Sequence, residues 1–194
     1  DYDAKGPENI CRSEYTFVTG INDKVSELST QLQSISPFVD VGMNSLIADA
    51  LKVLNDNSQG REKLREYFGA YDIIFDCTAD NDMAFLIDQI APEKQIINLS
   101  ITNYAQELIC AASPNVYSNI MHISGILKTE EEPDLYNPTG CWNPTFKAGY
   151  NDIAVLVQYA IKQINLTLIK GRPLRSFYLS TSKEDDFQIQ IRTF

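Results

Sequence analysis

The first third of the chain combines helical and extended hydrophobic patterns. Apolar residues recur at intervals of three or four over 25–35, which predicts a helix with one apolar face that ends before Pro37. The short apolar run 38–41 predicts a strand. Two further helices are predicted over 44–56 and 59–69, so the segment begins as a mixture of both element types.

The middle of the chain places an amphipathic helix between two apolar strands. The strands are predicted over 72–77 and 95–100, and the helix between them ends at Ile90. Strand, helix and strand in this order predict a right-handed crossover and a parallel pair. A further strand over 104–113 and a helix over 116–128 are expected to follow.

The last third begins with a long segment that bears proline and glycine, 130–144, and then becomes regular again. Long loops of this kind inside compact domains are often functional. A strongly apolar helix is predicted to start at Asn151 or Asp152. The apolar segments 177–180 and 187–191 flank a charged turn, which predicts an antiparallel hairpin. The whole pattern therefore predicts an α/β fold.

Composition narrows the class of protein. The 194 residues, 44% hydrophobic and 22% charged, are typical of a globular chain and suffice for one domain, 1–194. No apolar run approaches the roughly 20 residues of a membrane span, so no membrane is expected as a partner. A net charge of -10 repels phosphate backbones, which excludes nucleic acid. Four isolated cysteines without a CxxC pair favour a reducing, cytoplasmic location.

Polar residues near the N-terminus are suited to holding a nucleotide. A carboxylate at a strand end accepts hydrogen bonds from both ribose hydroxyls, and Asp1 or Asp3 can supply it. Asn9, Arg12 and Lys24 offer an amide and two cations over a short span. Such groups can hold a triphosphate and neutralise charge that develops at the α-phosphate.

The end of the predicted 72–77 strand and the turn after it contain two residues of interest, Cys77 and Asp80. Asp80 is a candidate Mg²⁺ ligand, and also a candidate cap for the helix that starts near Asn81; the two roles are compatible. Cys77 ends an apolar strand and is predicted to lie in the core.

Three blocks of the sequence, which include these residues, resemble the ThiF/MoeB ubiquitin-activating superfamily. The first block matches the pattern D-x-D, N-L-x-R-Q and G-x-x-K with Asp1-Tyr2-Asp3, Asn9-Ile10-Cys11-Arg12 and Gly20-Ile21-Asn22-Asp23-Lys24. The second, Asp72-Ile73-Ile74-Phe75-Asp76-Cys77-Thr78-Ala79-Asp80-Asn81, is similar to the family's strand and turn ending in D-C-T-D-N. The third, Gly140-Cys141-Trp142-Asn143-Pro144-Thr145, resembles its crossover loop.

The resemblance implies a Rossmann-like ThiF/MoeB fold, in which helices flank a mixed central sheet and an antiparallel hairpin ends the chain. It divides the chain into a nucleotide-binding core over 1–128, the crossover loop over 129–147, and a C-terminal helix and hairpin over 148–194. The first β-α-β unit, with its glycine-rich phosphate loop, is expected to lie before residue 1. The chain is then a fragment or a processed product, and we expect these residues alone not to bind ATP.

The resemblance also implies an activity. Members of the family adenylate the C-terminal glycine of a ubiquitin-like protein or a sulfur carrier, using ATP and Mg²⁺. Carried over to this sequence, Asp1 holds the ribose, with Asp3 beside it, and Asn9, Arg12 and Lys24 contact the phosphates. Arg12 is the catalytic cation in this scheme, since it neutralises the reacting phosphate.

The metal site and the covalent step follow from the same resemblance. The Asp after Cys77, here Asp80, would bind Mg²⁺, and Cys141 in the crossover loop would accept the activated acyl group as a thioester. The alternative for Cys141 is an unreactive thiol packed beside Trp142. The implied partners are the carrier protein and a second subunit, in a homodimer or a heterodimer.

Two departures from the family pattern keep other functions open. Ala79 stands where the family has its metal-binding Asp, so Asp80 comes one residue late, and no GxGxxG occurs in the chain. These departures favour a non-catalytic ThiF-like scaffold or partner subunit that binds a ubiquitin-like protein without adenylating it. A nucleotide-dependent oxidoreductase ranks last, because its fingerprint GxGxxG is missing.

Overall fold

The computed structural model describes five stretches of the chain: 24–41, 58–78, 80–127, 148–181 and 187–194. Contacts divide the chain into two compact units, the first formed by 1–48 with 138–153 and the second by 49–137 with 154–194. All described strands belong to the second unit. The single domain 1–194 stays a prediction. Among the described residues, no helix is long and apolar enough to cross a membrane.

Helices and strands follow one another much as the hydrophobic pattern predicts. The described helices are α1 (Lys24–Ile35), α2 (Ser58–Gly69), α3 (Asn81–Ile90), α4 (Val116–Leu127) and α5 (Tyr150–Ile169). The strands are β1 (Ile73–Asp76), β2 (Gln95–Thr102), β3 (Glu107–Ala112), β4 (Phe177–Thr181) and β5 (Ile189–Thr193). A short 3₁₀ turn, Asn103–Ala105, joins β2 to β3.

The five strands form one open sheet in the order β1-β2-β3-β4-β5. The pair β1–β2 is parallel, and the other three pairs are antiparallel. The predicted parallel pair and the predicted C-terminal hairpin are therefore confirmed. The molecule has an α/β fold with a mixed sheet flanked by helices.

Helix α5 covers one face of the sheet. Leu156, Ala160 and Ile164 recur every four residues, so they form one apolar stripe on the helix. All three are fully buried against strand residues such as Leu108 and Leu179. This stripe and the strands beneath it form one hydrophobic cluster of the second unit.

Helix α4 covers the opposite face, where Ile123 and Leu127 pack against Ile109 of β3. The Asp88 carboxylate of α3 accepts hydrogen bonds from the backbone N–H groups of Val116 and Tyr117, at 3.2 and 3.3 Å. Since the first N–H groups of a helix have no partner within it, this contact caps α4 and holds it beside α3. The two helices thus share the face on which the polar residues described below lie.

Two predicted strands need correction. Segment 38–41 is not a strand: a turn at Pro37 and Phe38 follows α1, the Phe38 N–H is bonded to the Ser36 hydroxyl, and the Phe38 side chain is 94% exposed. Apolar character alone does not form a strand when no neighbouring strand pairs with it. The predicted strand 104–113 starts only at Glu107.

The shorter third strand has a backbone cause. Asn103, Tyr104 and Ala105 adopt positive φ angles of 53°, 53° and 60°, the left-handed region that non-glycine residues rarely visit. A chain in that conformation cannot continue the ladder, so β2 ends at Thr102 and the direction reverses. The predicted helix 44–56 and the loop 129–147 lie outside the described residues.

Candidate functional site

A buried acid ends the first strand. Asp76 is the last residue of β1 and is only 2% exposed, while its strand neighbour Phe75 is 45% exposed. Asn98 of β2, also 2% exposed, is its register partner in the parallel pair. Register partners present their side chains on the same face of a sheet. The two polar groups therefore meet beneath the surface near the carboxyl end of β1.

Hydrogen bonds satisfy both oxygens of the Asp76 carboxylate. Oδ2 accepts from the Asn98 amide Nδ2 at 2.8 Å. Oδ1 accepts from the backbone N–H of Thr78 at 3.1 Å and from the Thr78 hydroxyl at 2.7 Å. A buried carboxylate with three donors is tolerated, whereas one without donors is strongly destabilising. The pattern is an Asx turn that holds the chain immediately after β1.

The polar network continues along β2. The Ser100 hydroxyl donates to the Asn98 side-chain oxygen at 2.6 Å. Because an ionised carboxylate only accepts hydrogen bonds, the Asn98 amide must present its NH₂ group to Asp76 and its oxygen to Ser100. The orientation of Asn98 is therefore determined by Asp76. We call Asp76, Thr78, Asn98 and Ser100 the strand-end network.

Asp80 begins the next element, four residues after Asp76. Its Oδ1 accepts from the backbone N–H groups of Asp82 and Met83, at 2.8 and 3.3 Å, in the extended conformation of a helix N-cap. The predicted cap is confirmed. Both cap bonds use Oδ1, and Oδ2 makes no hydrogen bond within the described residues.

The free oxygen of Asp80 is compatible with magnesium. The described residues contain no group of three or more His, Cys, Asp or Glu side chains that could hold a metal ion. Magnesium bound to a nucleotide needs few protein ligands, since it is held by one or two carboxylates together with phosphates and water. A single exposed carboxylate oxygen at this position fits that requirement, and the role of Asp80 as a ligand stays a prediction.

The two described cysteines differ from each other. Cys77 is exposed, which corrects the prediction that it lies in the core: β1 ends at Asp76, and side chains alternate between faces, so Cys77 follows the exposed Phe75. Shielding by neighbouring protein atoms, and then the charge of Asp76, raise its thiol pKa. Burial raises the pKa of Cys110 to about 12. Neither thiol is therefore activated as a nucleophile.

Most of the predicted nucleotide and acyl contacts fall outside this network. Lys24 is the first residue of α1, which belongs to the first compact unit, and its side chain is not among the described ones. Only Asp80 lies in the second unit within the described residues. The following predicted residues lie outside the described stretches: Asp1, Asp3, Asn9, Arg12 and Cys141.

The strand-end network was not foreseen as a unit, although the sequence carries a signal for it. Asn98 and Ser100 are polar residues two apart in an otherwise apolar strand, so they share a face. The sequence Asp76-Cys77-Thr78 likewise has the spacing of an Asx turn. What could not be read was the register that sets Asp76 opposite Asn98.

Comparison with known proteins leaves the family open. A scan against protein-family models found no match to this chain, and a search of curated proteins found none. The motif resemblance to the ThiF/MoeB superfamily is therefore an inference from the residues alone.

Proposed function

We propose that the intact protein is a ThiF/MoeB-type activating enzyme, which uses ATP and Mg²⁺ to adenylate the C-terminus of a ubiquitin-like or sulfur-carrier protein. The observation that carries the proposal is the placement of Asp76 at the end of β1, which pairs in parallel with β2, and of Thr78 and Asp80 directly after it. In open α/β sheets, ligands bind beyond the carboxyl ends of parallel strands. The order of acid, turn, acid and helix is also the order of the resembling motif.

The reaction needs positioning more than proton transfer. A carboxylate oxygen of the carrier's terminal glycine attacks the α-phosphorus of ATP, the bond from that phosphorus to the bridging oxygen breaks, and pyrophosphate leaves with the electron pair. Magnesium neutralises charge on the phosphates when it is bound. In this chain, Asp80 would hold the metal, while Asn9, Arg12 and Lys24 would contact the phosphates and Asp1 or Asp3 the ribose.

Isotope exchange tests the proposal directly. Because adenylation is reversible, labelled pyrophosphate enters ATP only when the carrier's carboxylate has been activated. The full-length protein is mixed with ATP, Mg²⁺, labelled pyrophosphate and a ubiquitin-like protein that ends in glycine. We expect exchange that requires the carrier and its terminal glycine. Exchange that is absent with every β-grasp carrier tested would contradict the proposal.

The covalent step has its own test. If Cys141 accepts the acyl group, Cys141→Ala abolishes a thioester that hydroxylamine or a reducing agent removes, while pyrophosphate exchange continues. The attacking sulfur forms the thioester bond and AMP leaves. Cys77→Ala is the matched control, since Cys77 is exposed and its raised pKa makes it a poor nucleophile. A thioester that persists in Cys141→Ala would exclude this role.

One observation favours a second function, that of a non-catalytic scaffold. Asp80 stands one residue later than the acid in the family pattern, and its Oδ1 is occupied by the helix cap. A scaffold of this kind would bind a ubiquitin-like protein without activating it. Carrier binding by the full-length protein, with neither pyrophosphate exchange nor ATP binding, is the result that would select it.

A further inference from the structure

We propose that Asp76 and Asn98 are positioning residues for the metal site. In this proposal the pair fixes the turn between β1 and α3, and through the turn it aims the free oxygen of Asp80 at the magnesium of bound ATP. The inference rests on the proposed function, since it assigns a task to two residues that touch neither metal nor nucleotide.

Hydrogen bonds anchor two positions of the turn after β1, Thr78 and Asp80. Thr78 is held by two hydrogen bonds to the Asp76 carboxylate, and Asp80 is held by its two bonds to the first turn of α3. Only one residue of the sequence separates these anchored positions. Two consecutive peptide links set an upper limit on the distance between these positions, so Asp80 lies near Thr78 whatever the conformation between them. The anchor at Thr78 depends in turn on Asp76.

Asn98 in turn determines the orientation of Asp76. Asp76 is buried, so its orientation is determined by its partners, and its second oxygen has one, the Asn98 amide at 2.8 Å. Asn98 lies in the interior of β2, which is paired on both sides. A residue in the middle of a sheet is a rigid support. The turn is thus tied through two side chains to a strand that is paired on both sides.

Mutation can first break the hydrogen bond between positions 76 and 98 and then restore it, because one partner donates and the other accepts. In Asn98→Asp, two carboxylates face each other, the hydrogen bond is lost and the charges repel. In the exchange variant Asp76→Asn/Asn98→Asp, the new amide at 76 donates to the new carboxylate at 98. Its oxygen still accepts from Thr78, and the carboxylate still accepts from Ser100. Every hydrogen bond of the network is kept, and only the bond between positions 76 and 98 exchanges its donor and acceptor.

Amide hydrogen exchange of the full-length protein tests the anchor without using activity. We expect the Thr78 N–H, which donates to Asp76, to exchange about tenfold faster in Asn98→Asp than in the native protein. It should return to within about threefold of the native rate in the exchange variant. Unchanged Thr78 exchange would overturn the proposal.

Mg²⁺–ATP binding tests whether the Asp76–Asn98 pair positions Asp80 for the metal. We expect the affinity for Mg²⁺–ATP to fall about tenfold in Asn98→Asp and to recover in the exchange variant, in step with the Thr78 amide. A faster Thr78 amide with unaltered Mg²⁺–ATP affinity would overturn the positioning role while leaving the proposed function intact. A native protein that does not bind Mg²⁺–ATP would instead overturn the proposed function, and with it the aim of Asp80.

A milder variant guards against loss of the fold. The amide of Leu108, in the fully buried part of β3, reports global unfolding. If Asn98→Asp also loosens Leu108, Ser100→Ala takes its place, because it removes only the outer hydrogen bond to Asn98. We expect Ser100→Ala to speed exchange at Thr78 about threefold and to leave Leu108 unchanged. Unchanged exchange of the Thr78 amide in a folded Ser100→Ala protein would count against the proposed dependence of Thr78 on Asn98.

Discussion

The two faces of the sheet differ in what their buried residues achieve. On the face covered by α5, the buried cluster is entirely apolar and includes Leu108, Leu156 and Leu179, each at 0% exposure. On the other face, β1 ends in a buried carboxylate that is matched by an amide. The first region holds the fold together, whereas the second determines where a turn lies.

The free energies of apolar burial and of hydrogen bonding explain this difference between the two faces. Burial of one large aliphatic side chain stabilises a protein by about 1.5–3 kcal/mol. A hydrogen bond contributes about 0.5–1.5 kcal/mol net, since water competes for both partners, and burial of a charge offsets part of that. The strand-end network therefore adds little to stability when complete. Its geometry is nevertheless strict, because a half-broken network leaves a buried carboxylate oxygen without a donor.

The largest effect is expected from the apolar face. Leu156→Ala should lower the free energy of unfolding by about 2–5 kcal/mol, because it leaves a cavity under α5. Leu166→Ala is the matched control: the same change in the same helix, at a side chain that is 38% exposed, should cost less than about 1 kcal/mol. Urea unfolding measures both. Equal losses would show that α5 does not seal this face.

An intermediate effect is expected at Asp80, where stability and metal binding can be separated. Asp80→Ala should cost about 1 kcal/mol of unfolding free energy, since two backbone N–H groups lose their acceptor. Asp80→Asn keeps that acceptor and should cost a few tenths of a kcal/mol. Both variants should weaken Mg²⁺–ATP binding by the full-length protein. Native affinity in Asp80→Asn would exclude the metal role and leave the cap.

The smallest effect is expected when one thiol from each region is alkylated and their rates are compared. At pH 8, iodoacetamide should modify Cys77 in the native protein and leave Cys110 unmodified, as read by peptide mass mapping. Since the Cys77 pKa is raised, its thiolate fraction at this pH is below that of a free thiol, and its alkylation should speed up as pH rises. In guanidinium both should react equally. Native Cys110 reacting as fast as Cys77 would contradict the burial that gives it a pKa of about 12.

Much of the secondary structure was predictable from the sequence. The period of the apolar residues located α2, α3, α4 and the start of α5 to within a residue or two, and the order of elements placed the two strands around α3 as a parallel pair. Asp80 was also predicted as a cap, because a short acidic side chain before an apolar helical pattern has a local role. These features depend on neighbours within a few positions along the chain.

The predictions that were wrong concern features that the periodicity of apolar residues does not report. Segment 38–41 has the apolar character of a strand without being one, and a left-handed turn at 103–105 delays the third strand. Cys77 was predicted to lie in the core, and it is exposed because β1 stops one residue earlier. Each outcome depends on which backbone groups find a partner, which short-range periodicity does not reveal.

The strand-end network contains features that the sequence determines locally and one pairing that only the fold determines. The residue types, the spacing of two between Asn98 and Ser100, and the Asx turn after Asp76 are properties of the sequence by itself, because they follow from local geometry. The pairing of Asp76 with Asn98, 22 positions apart, was decided only when β1 and β2 aligned in register. A shift of one residue would turn either side chain to the other face of the sheet. The tertiary structure therefore decided that Asp76 is buried beside an amide, whereas the cap made by Asp80 follows from its neighbours in the sequence.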